Sequence, residues 1–368
     1  MSDTQTSFIQ MAFYGAYFCV ALPAALFIRK YSYKKGVILG LLLYAAGAIL
    51  FLPAASTASY AFYLVAIYIM ASGCSVLETT ANPYIMSMGS PETATRRLNI
   101  AQSFNPIGSI LGILVSKYFI LQDISLYSVS GTYAGLGVVL LSIMVVMLFA
   151  RMPEGKDETK QASLINTFGR LAKNKKYIWG VVAQFFYVGA QIGVWSFTIR
   201  LVMKELEYVE AQAATLYLIS IIGFCVSRFV YTWLMKYVAP VRLLAAGSVL
   251  SAVCALVVVL AGGWVAVITL VLISAFMSLM FPTIYGIALG SLNENDNEKG
   301  DVKIGASGLI MAILGGALIT PLQGMVSDAT GSINTSYVVP LGCFIVVLCY
   351  ASFAVRNEKI LSNADSGR

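Results

Sequence analysis

Histidine is absent from the 368 residues, and only 11% of them are charged. The first absence removes imidazole as general base, metal ligand and proton relay. The second leaves too little polar surface for a water-soluble domain, in which about a quarter of residues carry charge. The six cysteines, Cys19, Cys74, Cys225, Cys254, Cys343 and Cys349, form no CxxC pair, and each lies in an apolar run. Packed free thiols are expected, not a disulfide framework or a zinc site. Met1–Ser7 carries only Asp3 and no basic group, so no cleavable signal pattern opens the chain. No P-loop pattern and no dinucleotide-binding glycine fingerprint occurs, and Gly305–Gly316 reads as close helix packing. With no nucleophile–base pair or metal cluster either, the residues point away from an enzyme, a cofactor or a metal.

What is present is hydrocarbon. Hydrophobic residues make up 59% of the chain and the mean hydropathy is +0.81. Apolar runs fall at 7–28, 36–53, 60–88, 98–121, 131–150, 177–203, 209–235, 241–261, 264–291, 303–328 and 335–355. Each is long enough to cross a bilayer as a helix. Short alternating segments of the barrel type are not seen. The fold class is therefore an all-α polytopic membrane protein with eleven spans.

The net charge of +7 reads as topology and not as nucleic-acid binding. Taken loop by loop, twenty of the 24 Lys and Arg fall on one side of the eleven spans. Lys117, Arg200 and Lys204 fall on the other, and Arg228 lies within a span. The positive-inside rule makes the rich side cytoplasmic, with the C-terminus inside and Met1 outside. The polar stretch 151–176 reads as a cytoplasmic linker. It joins a five-span bundle, 1–150, to a six-span bundle, 177–356, with a cytoplasmic tail at 357–368.

The two halves repeat at an offset near 206: Lys30-Tyr31 matches Lys236-Tyr237, and Arg97 falls opposite Lys303. Projecting the second half back onto the first places the span at 177–203 upstream of Met1. The repeat thus predicts one helix more than the chain contains. The expectation is a late start in a longer reading frame, with a true eleven-helix variant as the alternative.

Only one of the 17 acidic residues, Glu78, lies well inside a span. A carboxylate there costs at least about 2.5–3.5 kcal/mol on insertion scales. It must meet water, find a partner or carry a proton, and with no histidine it is the best proton carrier in the chain. Its alternative role is as a structural hydrogen-bonding group between helices. Asn82 follows at i+4 on the same face, then Pro83. The next span opens with Asn99, Gln102 and Asn105, followed by Pro106. Amides on adjacent helices suggest either a shared hydrated cavity or interhelical glue.

In the second half Gln184, Gln191 and Trp195 share a helical face, with Tyr187 beside them. Amides for hydroxyls and a flat ring for an apolar sugar face suit a carbohydrate; ordinary packing is the alternative. Phe281, Tyr285 and Gln323 are weaker candidates. Arg228, near the cytoplasmic end of its span, could snorkel inward and reads as a gating or structural contact with an adjacent helix end, with substrate binding as the alternative.

The run Leu77-Glu78-Thr79-Thr80-Ala81-Asn82-Pro83-Tyr84 and the segment from Arg97 to Asn105 closely resemble the L-fucose:proton symporter (fucose permease) family of the major facilitator superfamily. So do Ala183-Gln184-Phe185, Tyr187 to Gln191, Ser274 to Ser278 and Pro282-Thr283. The likeness runs from about Ser7 to Arg356, and the family also includes glucose/galactose transporters. The resemblance implies the major facilitator fold, here with eleven of twelve helices. It implies proton-coupled uptake of L-fucose or a related hexose by alternating access, in a monomer in the inner membrane, whose partners are sugar, proton and lipid. It assigns sugar and proton binding to Glu78, and sugar contact to Gln102 and Asn105. Two departures stand out: the family's first helix, with its proton-coupling aspartate, is absent, and a family tyrosine aligns with Phe281. A truncated, non-transporting protein or sugar sensor is the rival expectation.

Overall fold

The computed structural model describes residues 3–120, 125–153, 163–292 and 301–366. The described residues hold helices and no strand. Eleven helices are long and apolar enough to cross a membrane. In order they are Ile9–Lys30, Tyr33–Thr57, Tyr60–Ser87, Pro91–Ile120, Leu126–Phe149, Lys175–Leu206, Glu210–Leu234, Pro240–Leu260, Gly263–Gly290, Asp301–Thr330 and Ile333–Asn357. Hydrocarbon offers the backbone no partner, so a helix, which satisfies its own peptide groups, is the form such runs must take.

Polar residues between the runs fix where the helices begin. Ser32 accepts from the Lys35 amide at 3.2 Å, Ser59 from Phe62, Ser125 from Ser128 and Asn174 from Tyr177. Each satisfies one of the amides that a helix start leaves without a carbonyl. Small residues then let helices meet closely. A Cβ on Gly73 would collide with the backbone of Tyr44, and one on Gly47 with that of Met70, so the second and third spans touch through glycine.

The sequence boundaries need adjustment at three places. The fourth span begins at Pro91, not near 98, because Arg96 and Arg97 lie in its first helical segment, Ala94–Gln102. Charged residues at a span end can extend a helix out of the apolar layer, and hydropathy alone stops too early. The stretch read as linker contains a helix, Leu164–Lys173. Its apolar residues, Leu164, Ile165, Phe168 and Leu171, carry the helical periodicity. Its residues 154–162 lie outside the described residues. The last helix continues to Ser366, through most of the stretch read as tail.

The chain divides into two compact units. The first holds residues 1–90, 111–173 and 292–314; the second holds 91–110, 174–291 and 315–368. The fourth and tenth spans each contribute one part to each unit. Within the first unit, the start of the tenth span (Asp301–Met311) packs against the first and third spans. Within the second, helix Ala94–Gln102 packs against Met280–Gly290 and Glu210–Leu234.

Candidate functional site

In the first unit the third span carries Glu78 past mid-length, one helical turn after Cys74. Glu78 is half-buried and keeps accessible surface. The hydroxyl of Tyr17, on the first span, donates to Glu78 Oε1 at 3.5 Å. Tyr17 is itself held by Ser75, whose Oγ donates to the Tyr17 carbonyl at 3.3 Å. One acid, one phenol and a thiol thus share a face within apolar helices. Such a carboxyl has few partners, so its charge is not locked in place. Asn82, one turn on, is buried.

A second polar cluster of unit one lies at the basic ends of the helices. Arg170, on the helix Leu164–Lys173, donates from Nε and Nη2 to the two carboxylate oxygens of Asp301 at 2.6 and 2.7 Å. Lys303 Nζ sits 4.8 Å from the centre of the Tyr33 ring, and Tyr33 packs on Tyr84. Lys34 Nζ donates to the carbonyls of Leu148 and Ala150, at the end of the fifth span, at 2.8 Å each.

The second unit is organised by a line of hydrogen bonds. Trp195 Nε1 donates to Ser274 Oγ at 3.2 Å, and Ser220 Oγ donates to the same oxygen at 2.5 Å. Trp195 meets the edge of Phe224. The Arg228 guanidinium lies 4.6 Å from the centre of that ring. Its Nε donates to the Ser278 carbonyl at 2.7 Å and its Nη1 to the Gln102 carbonyl at 2.9 Å. Further along, Asn99 Nδ2 donates to Thr283 Oγ1 at 3.3 Å. Tyr187 is fully buried and donates to the Met277 carbonyl at 3.2 Å.

Accessibility sorts the residues singled out from sequence. Glu78, Gln102, Gln191, Trp195 and Phe281 are half-buried, and Asn105 is exposed. Asn82 and Gln184 are sealed in packing, at 3% and 0% exposure, as are Gln323 and Tyr285. Both amide atoms of Gln184 are buried with no hydrogen-bond partner among the described residues. Phe281 stacks on Tyr285 with centroids 6.4 Å apart. Arg228 does not snorkel: it is 3% exposed and bonded to the ends of two helix segments. Sequence reasoning missed Tyr17, Ser220 and Ser274. Hydroxyls are common in membrane helices, and nothing in their spacing marks these three. Among the described residues no three acids or cysteines converge on a point that could hold a metal ion.

Known proteins resemble this chain over nearly its whole length. Residues 1–302 match the profile of the Major Facilitator Superfamily. An L-fucose-proton symporter of Haemophilus influenzae is 41% identical, over 97% of this chain and 89% of that protein. The L-fucose-proton symporter of Escherichia coli is 36% identical, over 96% and 85%. A glucose/galactose transporter of Brucella abortus is 31% identical, over 95% and 85%. A crystal structure of the Escherichia coli fucose:proton symporter superposes with a TM-score of 0.87 at 35% identity, covering 96% of this chain and 91% of that one. The human organic anion transporter MFSD10, at 13% identity and a TM-score of 0.76, shares the fold alone. Eleven apolar helices, an acid well inside a span, and this likeness in sequence and shape lead to one assignment: the chain belongs to the Major Facilitator Superfamily.

Proposed function

We propose that this chain is a proton-coupled symporter of L-fucose or a related hexose. Its site opens to each face of the membrane in turn, and Glu78 carries the proton. The observation that carries the reading is Glu78 itself: a half-buried carboxyl well inside a span, which accepts from a phenol, Tyr17. A protonated Glu78 donates to a sugar hydroxyl and lets the sugar-loaded carrier reorient, because a neutral group crosses a low-dielectric layer more readily than a bare charge; loss of the proton on the cytoplasmic side releases both, and the empty carrier returns. Gln102, Asn105, Gln191 and Trp195 supply neutral hydrogen bonds and a flat ring, the groups a sugar needs. Asn82 and Gln184, both buried, act as packing groups. The activities of the relatives, L-fucose–proton symport and glucose/galactose transport, support the substrate class. The chain then sits in the inner membrane with its Lys- and Arg-rich loops and its C-terminus in the cytoplasm.

The test is transport by the purified full chain in proteoliposomes under an imposed proton gradient. Glu78→Gln is expected to abolish gradient-driven accumulation while retaining sugar exchange at equal concentrations. Wild-type accumulation by this variant would refute the proton-carrying role. A second reading, for a glucose- or galactose-type substrate, is favoured by Phe281, which offers a stacked ring without a hydroxyl. Competition of labelled L-fucose uptake by D-galactose and D-glucose separates the two.

A further inference from the structure

Two prolines break helices in the second unit, Pro106 and Pro282. Proline has no amide hydrogen, so the carbonyl four residues before it loses its helical donor. Those carbonyls belong to Gln102 and Ser278. The helices stop at these places: Ala94–Gln102 ends and the chain resumes as Asn105–Val115, and Gly263–Met277 ends before Met280–Gly290. Away from water, a carbonyl with no donor is costly.

Arg228 supplies donors at both points. Its Nε donates to Ser278 O at 2.7 Å and its Nη1 to Gln102 O at 2.9 Å. One buried guanidinium therefore binds the two carbonyls that Pro106 and Pro282 orphan. The partial negative charge at each helix end adds to the attraction. Arginine fits because its planar fork holds several N–H groups in fixed directions; the single ammonium of lysine does not span two carbonyls in this way. Phe224, one turn earlier on the same helix, covers the guanidinium.

The two breaks carry the residues proposed to touch sugar. Gln102 and Asn105 flank the first, and Phe281 lies three residues past Ser278 at the second. We propose that Arg228 is a positioning residue for sugar binding, which ties both proline breaks to one another through their freed carbonyls and so sets the spacing of Gln102 and Asn105 from Phe281. The inference rests on the reading of these three as sugar contacts. It differs from a direct contact between Arg228 and the sugar.

The experiment compares sugar affinity of the purified full chain, read by tryptophan fluorescence with L-fucose and D-galactose, with KM and maximal rate in proteoliposomes. The variants are Arg228→Lys, Arg228→Met, and Arg228→Met combined with Pro106→Ala and Pro282→Ala. Both single variants are expected to weaken binding and raise KM about tenfold or more, with a smaller change in maximal rate. The triple variant, which returns amides at positions 106 and 282, is expected to recover most of the affinity and the thermal stability in detergent. Wild-type KM in Arg228→Lys would overturn the proposal, as would a folded triple variant no better than Arg228→Met. If Arg228→Met does not fold, a triple variant that folds and binds supports the proposal, and one that also fails to fold overturns it. A wild-type chain that binds neither sugar refutes the symporter reading instead; the thermal comparison of single and triple variants then still tests the capping of the two carbonyls.

Discussion

Glu78 and Arg228 are both ionisable side chains within apolar spans, one in each compact unit, and the structure treats them differently. Glu78 is half-buried and meets a single phenol at 3.5 Å, near the limit of a hydrogen bond. Arg228 is buried, capped by an aromatic ring and bonded to two backbone carbonyls. A charge that organises backbone must be saturated, because any unpaired donor in hydrocarbon is a loss. A group that exchanges a proton needs the reverse: accessible surface and weak partners, so that neither state is trapped. Under the proposed function, the contrast puts the proton-exchanging group in the first unit and the charge that organises backbone in the second.

Substitutions in the two units should therefore move different observables. The largest effect is expected at Ser274, whose hydroxyl accepts from both Trp195 and Ser220. Ser274→Ala removes the acceptor shared by buried Ser220 and half-buried Trp195 and is expected to destabilise the protein by about 1–3 kcal/mol. Thermal unfolding in detergent checks it, while the pH dependence of transport should stay as in the wild type. A shifted pH profile would break the division between the units. Next is Tyr17→Phe, which removes the hydroxyl beside Glu78 for about 1 kcal/mol. It should move the pH at which accumulation falls off, with sugar affinity changed less than about threefold. An unmoved profile with altered affinity would reverse the assignment.

Asp301→Asn comes third. The bidentate pair with Arg170 is buried on the aspartate side and a third exposed on the arginine side. After discounting for solvent, about 1 kcal/mol of stability is expected to go, and exchanging the two residues should restore part of it. Full stability in the single variant would show that the helix Leu164–Lys173 is held by its apolar face alone. The smallest effect is Lys303→Met, which removes a cation from the Tyr33 ring for about 0.5–1 kcal/mol. It is expected to leave sugar exchange unchanged.

The spans were legible because a bilayer imposes a length and a composition on every helix that crosses it. Ten of the eleven begin within five residues of the sequence boundaries, and the exception is the fourth, where Arg96 and Arg97 hide the first two helical turns. Glu78 was legible for the same reason, as an acid where acids are expensive. Gln184 and Asn82 could not be told from their neighbours by sequence. Both are amides in apolar runs, like Gln102 and Gln191, yet they are sealed while the latter keep accessible surface. Periodicity gives the face of a helix; it does not say what covers that face.

From residue order alone came the eleven helices, the excess of basic residues on one side and the isolation of a single carboxyl, since each follows from the price of polarity in hydrocarbon. Tertiary structure alone decided that Tyr17 meets Glu78, that Asp301 pairs with Arg170 and that Arg228 reaches the carbonyls of Gln102 and Ser278. These partners stand between 50 and 131 positions apart in the chain. Contacts at that distance depend on how helices pack, and packing is set by the shapes of many side chains at once.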